Sequence, residues 1–306
     1  MRIAVTGDNH LDFLRDGESL VRSMMGDMAA RKASVVLNLG DMTNGRLYDK
    51  YRGLDELLGD QFVLYVVGNH DIWSPSFCKA RRPNEAFRQV VGKWRAHAAR
   101  PLERSFSDRE TLWRSEEHDV AIVGTMGFPD FEHPKHHMPK AYYESRHFTN
   151  DGSYMDLSLG WLRHTRRIKA SFAARLGRAL EFGHRDLVVA THYPIFEGQY
   201  RLDGSDISAY FFCHGIGRHV LEVAKAHPGV RFWCFAAHAH EYCKGRMSVE
   251  ADNVVSYGLE ADYGRLTFAV FDTGKGFDQD VETAWLPGKP YVPVIESVTR
   301  DSRGTP

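Results

Sequence analysis

The sequence predicts an α/β fold in which two sheets pack face to face between flanking helices. Short runs of β-branched and apolar residues recur along the chain and predict strands. Helix-like stretches at Glu18 to Arg31 and Leu47 to Leu58 separate the first three runs, which is the rhythm of a parallel sheet. The later runs lie closer together and predict a second, more antiparallel sheet. The predicted strands are Ile3 to Thr6, Val35 to Leu39, Phe62 to Val67, Val120 to Thr125, Leu187 to Thr191, Arg231 to Ala236, Val254 to Tyr257 and Leu266 to Phe271.

A single domain is predicted to span residues 1–286. Residues 127–152 show no helical or strand periodicity and predict a long irregular loop, and residues 287–306 predict an irregular C-terminal tail. The longest helix is predicted from about Leu157 to Phe182. Its many basic side chains have two interpretations, a surface for a nucleic-acid backbone or a solvated outer face. The balanced net charge of the chain favours the second.

The composition of the chain points to no particular macromolecular partner. Lys and Arg number 39 against 40 Asp and Glu, so no net field draws the protein to nucleic acid or to an anionic membrane. No stretch resembles a signal peptide, and none is apolar for long enough to cross a bilayer. The four cysteines are far apart, which favours free thiols in a reducing compartment over disulfides. We therefore expect a cytoplasmic protein, and the oligomeric state stays open.

Five short segments along the chain carry aspartate, asparagine and histidine, most of them directly after a predicted strand. The carboxyl ends of strands in an open α/β sheet gather ligands at one edge, so we expect these segments to form one shared site. The segments are Gly7-Asp8-Asn9-His10, Gly40-Asp41, Gly68-Asn69-His70-Asp71, Thr191-His192-Tyr193-Pro194 and Ala237-His238-Ala239-His240.

The first two segments carry residue types that bind hard metal ions. Carboxylates and imidazoles are suitable ligands, and two neighbouring cations need a bridging carboxylate to offset their repulsion. Asp8 and His10 are separated by one residue, so both can turn towards the same ion. Asp41 follows the second predicted strand and is the natural bridge.

The remaining segments complete a ligand set for two metals. Asn69 offers a neutral amide oxygen, and His192 follows a later strand. His238 and His240 alternate like strand residues, which would place both imidazoles on one side of the backbone, one for each metal. Turn formation or helix capping would explain each segment alone, but such explanations require five separate coincidences in the correct order.

The ordered series Asp-x-His, Gly-Asp, Gly-Asn-His-Asp, a single His after a strand, and His-x-His resembles the calcineurin-like metallophosphoesterase superfamily. The resemblance runs from about Asp8 to His240 and implies a four-layer α/β/β/α sandwich with mixed sheets and a two-metal hydrolytic site. It implies that His70 is a catalytic imidazole rather than a ligand. It implies the following ligands: Asp8, His10, Asp41 and His240 for one metal, and Asp41, Asn69, His192 and His238 for the other.

In the implied reaction, a hydroxide that bridges the two metals attacks the phosphorus of a phosphate mono- or diester in line. His70 would act as general acid at the leaving oxygen, and Asp71 would orient its ring. Manganese, iron, zinc and cobalt, as divalent or trivalent ions, all suit these ligands, and manganese is the ion expected to support activity in vitro. One position departs from the family pattern: Ala237 stands where glycine is usual, which leaves the backbone path into His238 open.

Further predictions concern residues outside the five segments. Asn44, Tyr143 and Arg146 are predicted to contact the substrate, whereas Trp73 is predicted to pack against its neighbours. The histidines within residues 133–137 predict a solvated loop rather than another metal site.

The predicted function is hydrolysis of a phosphate ester, with a small phosphorylated metabolite or a nucleotide as substrate. The alternative from another class is a binding or scaffold protein that keeps the fold without turnover, and the complete ligand set argues against it. Among enzymes, a nuclease and a cyclic-nucleotide phosphodiesterase stay open as alternatives. A protein phosphatase would carry arginines for the substrate phosphate, and the spacing of Arg46, Arg81 and Arg82 does not support one.

Overall fold

The centre of the protein consists of β-strands. The computed structural model describes residues 1–43, 63–72, 100–101, 112–132, 161–201, 211–277 and 279–288. Several predictions fall on other residues and lie outside this description: the helix at Leu47 to Leu58, the substrate contacts Asn44, Tyr143 and Arg146, Trp73, the histidines within 133–137, most of the 127–152 loop, and the tail beyond Gly288.

The described residues contain twelve strands. In chain order they are β1 (Arg2–Thr6), β2 (Val35–Asn38), β3 (Val63–Tyr65), β4 (Arg100–Pro101), β5 (Leu112–Ser115), β6 (Val120–Thr125), β7 (Asp186–Thr191), β8 (Arg231–Ala236), β9 (Met247–Ala251), β10 (Val254–Gly258), β11 (Arg265–Asp272) and β12 (Glu282–Pro287). They form two six-stranded sheets, of order β12-β11-β1-β2-β3-β4 and β5-β6-β7-β8-β10-β9.

Both sheets mix parallel and antiparallel neighbours. In the first sheet β1 to β4 are parallel, whereas β11 is antiparallel to β1 and to β12. In the second sheet β6, β7, β8 and β10 are parallel, and only the edge strands β5 and β9 are antiparallel to their neighbours. The prediction of a more antiparallel second sheet is therefore wrong. Its close strand spacing arises because β9 forms a hairpin with β10, and because β11 pairs with the first sheet instead.

Helices cover the outer faces of the sheets. Four are described: α1 (Gly17–Ala30), the single turn α2 (Asn69–Ile72), α3 (Trp161–Glu181) and α4 (His214–Ala226). Side chains such as Ile3, Val5 and Val188 fill a core between the two sheets. Met24 of α1 and Phe172 of α3 belong to a second, outer core with side chains on the opposite strand faces. The four-layer α/β/β/α sandwich is confirmed, and the period-two alternation of the strands explains it.

The basic helix α3 is neither a uniformly solvated surface nor an open cationic one. Arg166 and Arg167 are exposed, but Arg175 is buried. Lys169 forms ion pairs with Glu132, at 2.6 Å, and with Asp130. Part of its charge therefore fixes the segment that leaves β6. None of the described helices has the length and apolar character needed to cross a membrane.

Candidate metal centre

Each of the five predicted segments follows a strand, after β1, β2, β3, β7 and β8 respectively. Five of the side chains that they carry lie on backbone that L-residues rarely adopt. The angle φ is 49° at Asp8, 40° at His10, 54° at Asp41, 69° at His238 and 48° at His240. Left-handed residues cost free energy and cluster at functional sites, where the surrounding structure holds them in place. The turns at the strand ends therefore orient these side chains towards the shared site.

The last segment differs from the predicted geometry. Strand β8 ends at Ala236, and both His238 and His240 are left-handed, so the prediction that they alternate along a strand is wrong. Ala237 itself is not left-handed, so it does not need the conformational freedom of glycine. Its N–H donates a hydrogen bond to the carbonyl oxygen of His192, at 2.9 Å. That bond ties the final segment to the fourth.

Glycine is required where the second and third segments touch. A Cβ on Gly68 would collide with the Asp41 carboxylate, and a Cβ on Gly40 would lie 2.5 Å from the backbone nitrogen of Gly68. Gly40 also has a φ of 102°, which L-residues rarely adopt. These two glycines bring Asp41 and Asn69 to the same edge of the first sheet.

Asp71 joins the same two segments through their backbones. Its buried carboxylate accepts hydrogen bonds from the N–H groups of Gly68 at 2.8 Å, Asp41 at 3.0 Å and Met42 at 3.2 Å. Bonds from N–H to an ionised carboxylate are stronger than neutral ones. The sequence predicted that Asp71 orients the His70 ring, and the structure gives its carboxylate an additional task, which is to fix the loop that carries Asp41.

The first group of candidate ligands comprises Asp8, His10 and His240. Their ligand atoms lie within 4.8 Å of one another, and the Nε2 atoms of the two imidazoles are 3.2 Å apart. Asp8 is 1% exposed, and within the described part of the chain neither of its carboxylate oxygens accepts a hydrogen bond of normal geometry. A buried carboxylate without such bonds is costly unless a cation compensates it. This group fits a metal ion.

The second group comprises Asp41, His192 and His238, which also lie within 4.8 Å of one another, with Asn69 beside them. The Nδ1 atom of His192 lies 2.8 Å from the carbonyl oxygen of Leu39 and must donate to it, so Nε2 carries the lone pair. That Nε2 faces the Asn69 Oδ1 at 2.8 Å and the Asp41 Oδ2 at 3.4 Å. Three acceptor atoms that converge in a buried space fit a metal ion between them.

Asp41 connects the two groups. Its Oδ1 accepts a hydrogen bond from the backbone N–H of His70 at 2.8 Å, which fixes the carboxylate. Its Oδ2 lies 3.9 Å from the Nε2 of His10 in the first group and 3.4 Å from the Nε2 of His192 in the second. One carboxylate oxygen therefore faces imidazoles of both groups.

Burial controls the charge of these side chains in the absence of a cation. It lowers the pKa of His70 to about 3 and holds the pKa values of His10 and His238 well below their ordinary value, and neighbouring imidazoles lower all three further. Burial raises the pKa of Asp8 to about 6, against the opposing effect of His240. The three histidines are neutral near pH 7, which is the form that ligates metals.

His70 lies beside the first group. Its ring centroid is 4.4 Å from that of His10 in an edge-to-face arrangement, and its ligand atom is within 4.8 Å of those of His10 and Asp41. The spacing suits a catalytic group next to the metals, and it would also suit a ligand. The metal content of His70→Ala distinguishes the two roles.

Two aromatic residues at the site were missed in the sequence. Phe13 follows His10 by three residues within a 3-10 turn, and Tyr263 lies in the connection between β10 and β11. The Tyr263 ring stacks on His240 with centroids 4.3 Å apart. Proximity to His10 could have indicated Phe13. Nothing local marks Tyr263, because only the pairing of β11 with β1 brings it to the site.

The fold agrees with the comparisons to known proteins. The chain belongs to the calcineurin-like phosphoesterase family, whose model matches residues 1–242. It is similar to phosphopantetheinyl hydrolase from Mycobacterium tuberculosis, at TM-score 0.61 and 17% identity over 85% of this chain and 89% of that one. It is also similar to a dimetal phosphatase from Danio rerio, at TM-score 0.49 and 13% identity over 95% and 97%. At 17% identity the first likeness shows a shared fold and no more. No curated protein has significant similarity to the chain.

Proposed function

We propose that the protein is a dinuclear metal-dependent phosphoesterase that hydrolyses a phosphate mono- or diester. The observation that supports it best is the position of the Asp41 Oδ2 between His10 of one ligand group and His192 of the other, at 3.9 and 3.4 Å. A single-metal site needs no carboxylate oxygen that faces two sets of imidazoles. We assign the metals as the family resemblance implies, with Asp41 as the shared ligand.

Two bound cations would supply a hydroxide nucleophile from water near neutral pH and would hold the phosphate oxygens. The side chains of the two ligand groups would position the cations. Asp8, His10 and His240 would hold one cation, and Asn69, His192 and His238 the other. The His192 N–H to Leu39 bond orients its ring, and Asp71 fixes the loop that presents Asp41. Orientation by such bonds raises metal affinity by about one to two orders of magnitude.

His70 would act on the leaving oxygen of the ester. Burial lowers its pKa to about 3, so the free protein presents a neutral imidazole at pH 7. The charge of a bound phosphate would favour protonation of the ring, and the two cations would oppose it. We assign His70 as the general acid, protonated in the substrate complex, which would transfer its ring proton to the departing oxygen. Asp41 accepts the His70 backbone N–H, which fixes the backbone that carries the ring.

A protein that binds metals without turnover is the competing function. It predicts the same ligand groups and differs only in catalysis. Hydrolysis of bis(p-nitrophenyl) phosphate and p-nitrophenyl phosphate, with manganese and with chelator, separates the two. We expect manganese-dependent turnover of at least one ester in the wild type and in His227→Ala, a control on an exposed histidine after α4. Metal binding without turnover of either ester would favour the scaffold.

A further inference from the structure

Two exposed aromatic side chains border the first ligand group. Large apolar side chains that are exposed number four among the described residues, and two of them, Phe13 at 39% and Tyr263 at 42%, touch each other. Their ring centroids lie 5.1 Å apart with an interplanar angle of 64°. We call this pair the aromatic rim. An exposed aromatic pair beside a buried polar site is a feature that packing alone does not require.

The aromatic rim contacts the imidazoles expected to hold metal. The Tyr263 ring is stacked on His240 at 4.3 Å and 21°, and lies 4.6 Å from the ring of His10. Phe13 meets the His10 ring edge-on at 5.9 Å. A phosphate held at the first ligand group would therefore carry its organic substituent past these two rings.

Both side chains of the aromatic rim keep solvent-accessible surface. In the 3-10 turn that contains Phe13, Leu11 is fully buried and anchors the turn, so Phe13 is not needed for that purpose. Tyr263 precedes Gly264, where an added Cβ would meet no atom of the described residues within 4 Å. A flat group could contact the solvent-accessible part of each ring.

The charge around the aromatic rim selects what can approach it. Four carboxylates lie close enough to Tyr263 to interact electrostatically with its hydroxyl: Asp41, Asp8, Glu241 and Asp12. Asp12 and Glu241 make this side of the site acidic, so a second phosphate group would be repelled, whereas an uncharged ring would not.

We propose that Phe13 and Tyr263 form a stacking surface for an uncharged, flat ring carried by the phosphate ester, such as the base of a nucleoside monophosphate. The inference rests on the proposed phosphoesterase function and deepens it by naming a substrate class. Aromatic side chains stack on any nucleobase, so the surface selects for the presence of a base more than for its identity.

The test compares AMP with ribose 5-phosphate, which share the same leaving oxygen and differ in the base. With manganese present, we expect the wild type to have a higher kcat/KM for AMP. Tyr263→Ala should lower kcat/KM for AMP by roughly 5- to 100-fold, the range expected from loss of one stacking partner, with a much smaller change for ribose 5-phosphate. Tyr263→Phe keeps the ring and should keep the preference for AMP.

A binding measurement makes the result independent of turnover. Calorimetric titration of AMP and of ribose 5-phosphate into manganese-loaded protein, wild type and Tyr263→Ala, reports base-dependent affinity directly. Equal losses for both ligands in Tyr263→Ala would mean that Tyr263 only supports His240, and would overturn the inference. Equal use and equal binding of the two ligands by the wild type would overturn it while the phosphoesterase function stands. Base-dependent binding without turnover of any ester would overturn the phosphoesterase function and support the stacking surface. Absence of base-dependent binding together with absence of turnover would overturn the function and the stacking surface alike.

Discussion

Replacing Asp71 by asparagine tests how the candidate metal centre is held together. The Asp71 carboxylate is fully buried and accepts three backbone N–H groups, from Gly68, Asp41 and Met42. Two of these bonds share Oδ2, which an asparagine oxygen can replace. The third, from Met42 to Oδ1, would face the amide NH2 and be lost. Asp71→Asn therefore leaves one buried donor unpaired and removes the charge from two bonds.

We expect Asp71→Asn to lower the free energy of unfolding by roughly 2–4 kcal/mol, because an unpaired buried donor alone costs about 1–3 kcal/mol. The substitution should also weaken metal binding. The loops that carry Asp41 and Asn69 lose their common anchor, so manganese affinity should fall by about 10- to 100-fold. Asp252→Asn, on an exposed turn, is the matched control and should change neither quantity.

Chemical unfolding of the chelated protein and calorimetric titration with manganese measure the two effects separately. If manganese affinity stays at the wild-type value while only kcat falls, Asp71 acts on the His70 ring, as the sequence predicted, and not on the loops. If the free energy of unfolding is also unchanged, the three hydrogen bonds contribute nothing measurable, and the reasoning from their geometry is wrong.

Three further predictions follow from the charges and ligands of the site. His70→Ala should lower turnover by about two to four orders of magnitude with two metals still bound per chain; loss of a metal by elemental analysis would make His70 a ligand. Asp41→Asn should reduce both metal content and turnover, and full retention of two metals would disprove the bridge. The chelated protein should lose stability as pH falls from about 6.5 towards 4, measured by urea unfolding at several pH values. The folded pKa values of His10, His70 and His238 are lowered, so these residues take up protons only on unfolding, each contributing about 1.4 kcal/mol per pH unit. Asp8 has the opposite effect and offsets the contribution of one histidine. Its pKa is raised from 3.8 to about 6 in the folded protein, so between these pH values the folded state binds the Asp8 proton more tightly than the unfolded state does. Stability that is constant or rises with acid would contradict the burial of neutral imidazoles.

Local sequence patterns predicted the strands that carry the site. Buried strands such as β1 and β7 consist of consecutive β-branched and apolar residues, and the polar segments directly after them are visible in the sequence. The sheet edges were not predicted. Strands β5, β9 and β12 are only partly buried, so their residues show no clear apolar pattern. The partner of β11 was also missed, since pairing between residues about 260 positions apart leaves no local signal.

Residue types can be read from the sequence, but the backbone geometry of the site cannot. The left-handed conformations of His238 and His240 depend on the turn after β8, which an Ala-His-Ala-His series does not reveal. The three backbone bonds of Asp71 depend on contact between two loops. Tyr263 reaches His240 only through the assembled sheet. Each of these features arises from tertiary contacts, and no local propensity encodes them.

The most direct test of the central claim is a crystal structure of the protein grown with manganese, with anomalous diffraction used to locate the ions. Two ions should appear per chain, about 3.5–4 Å apart, one on each side of the Asp41 carboxylate. A single ion, or two ions that do not share Asp41 as a ligand, would contradict the account.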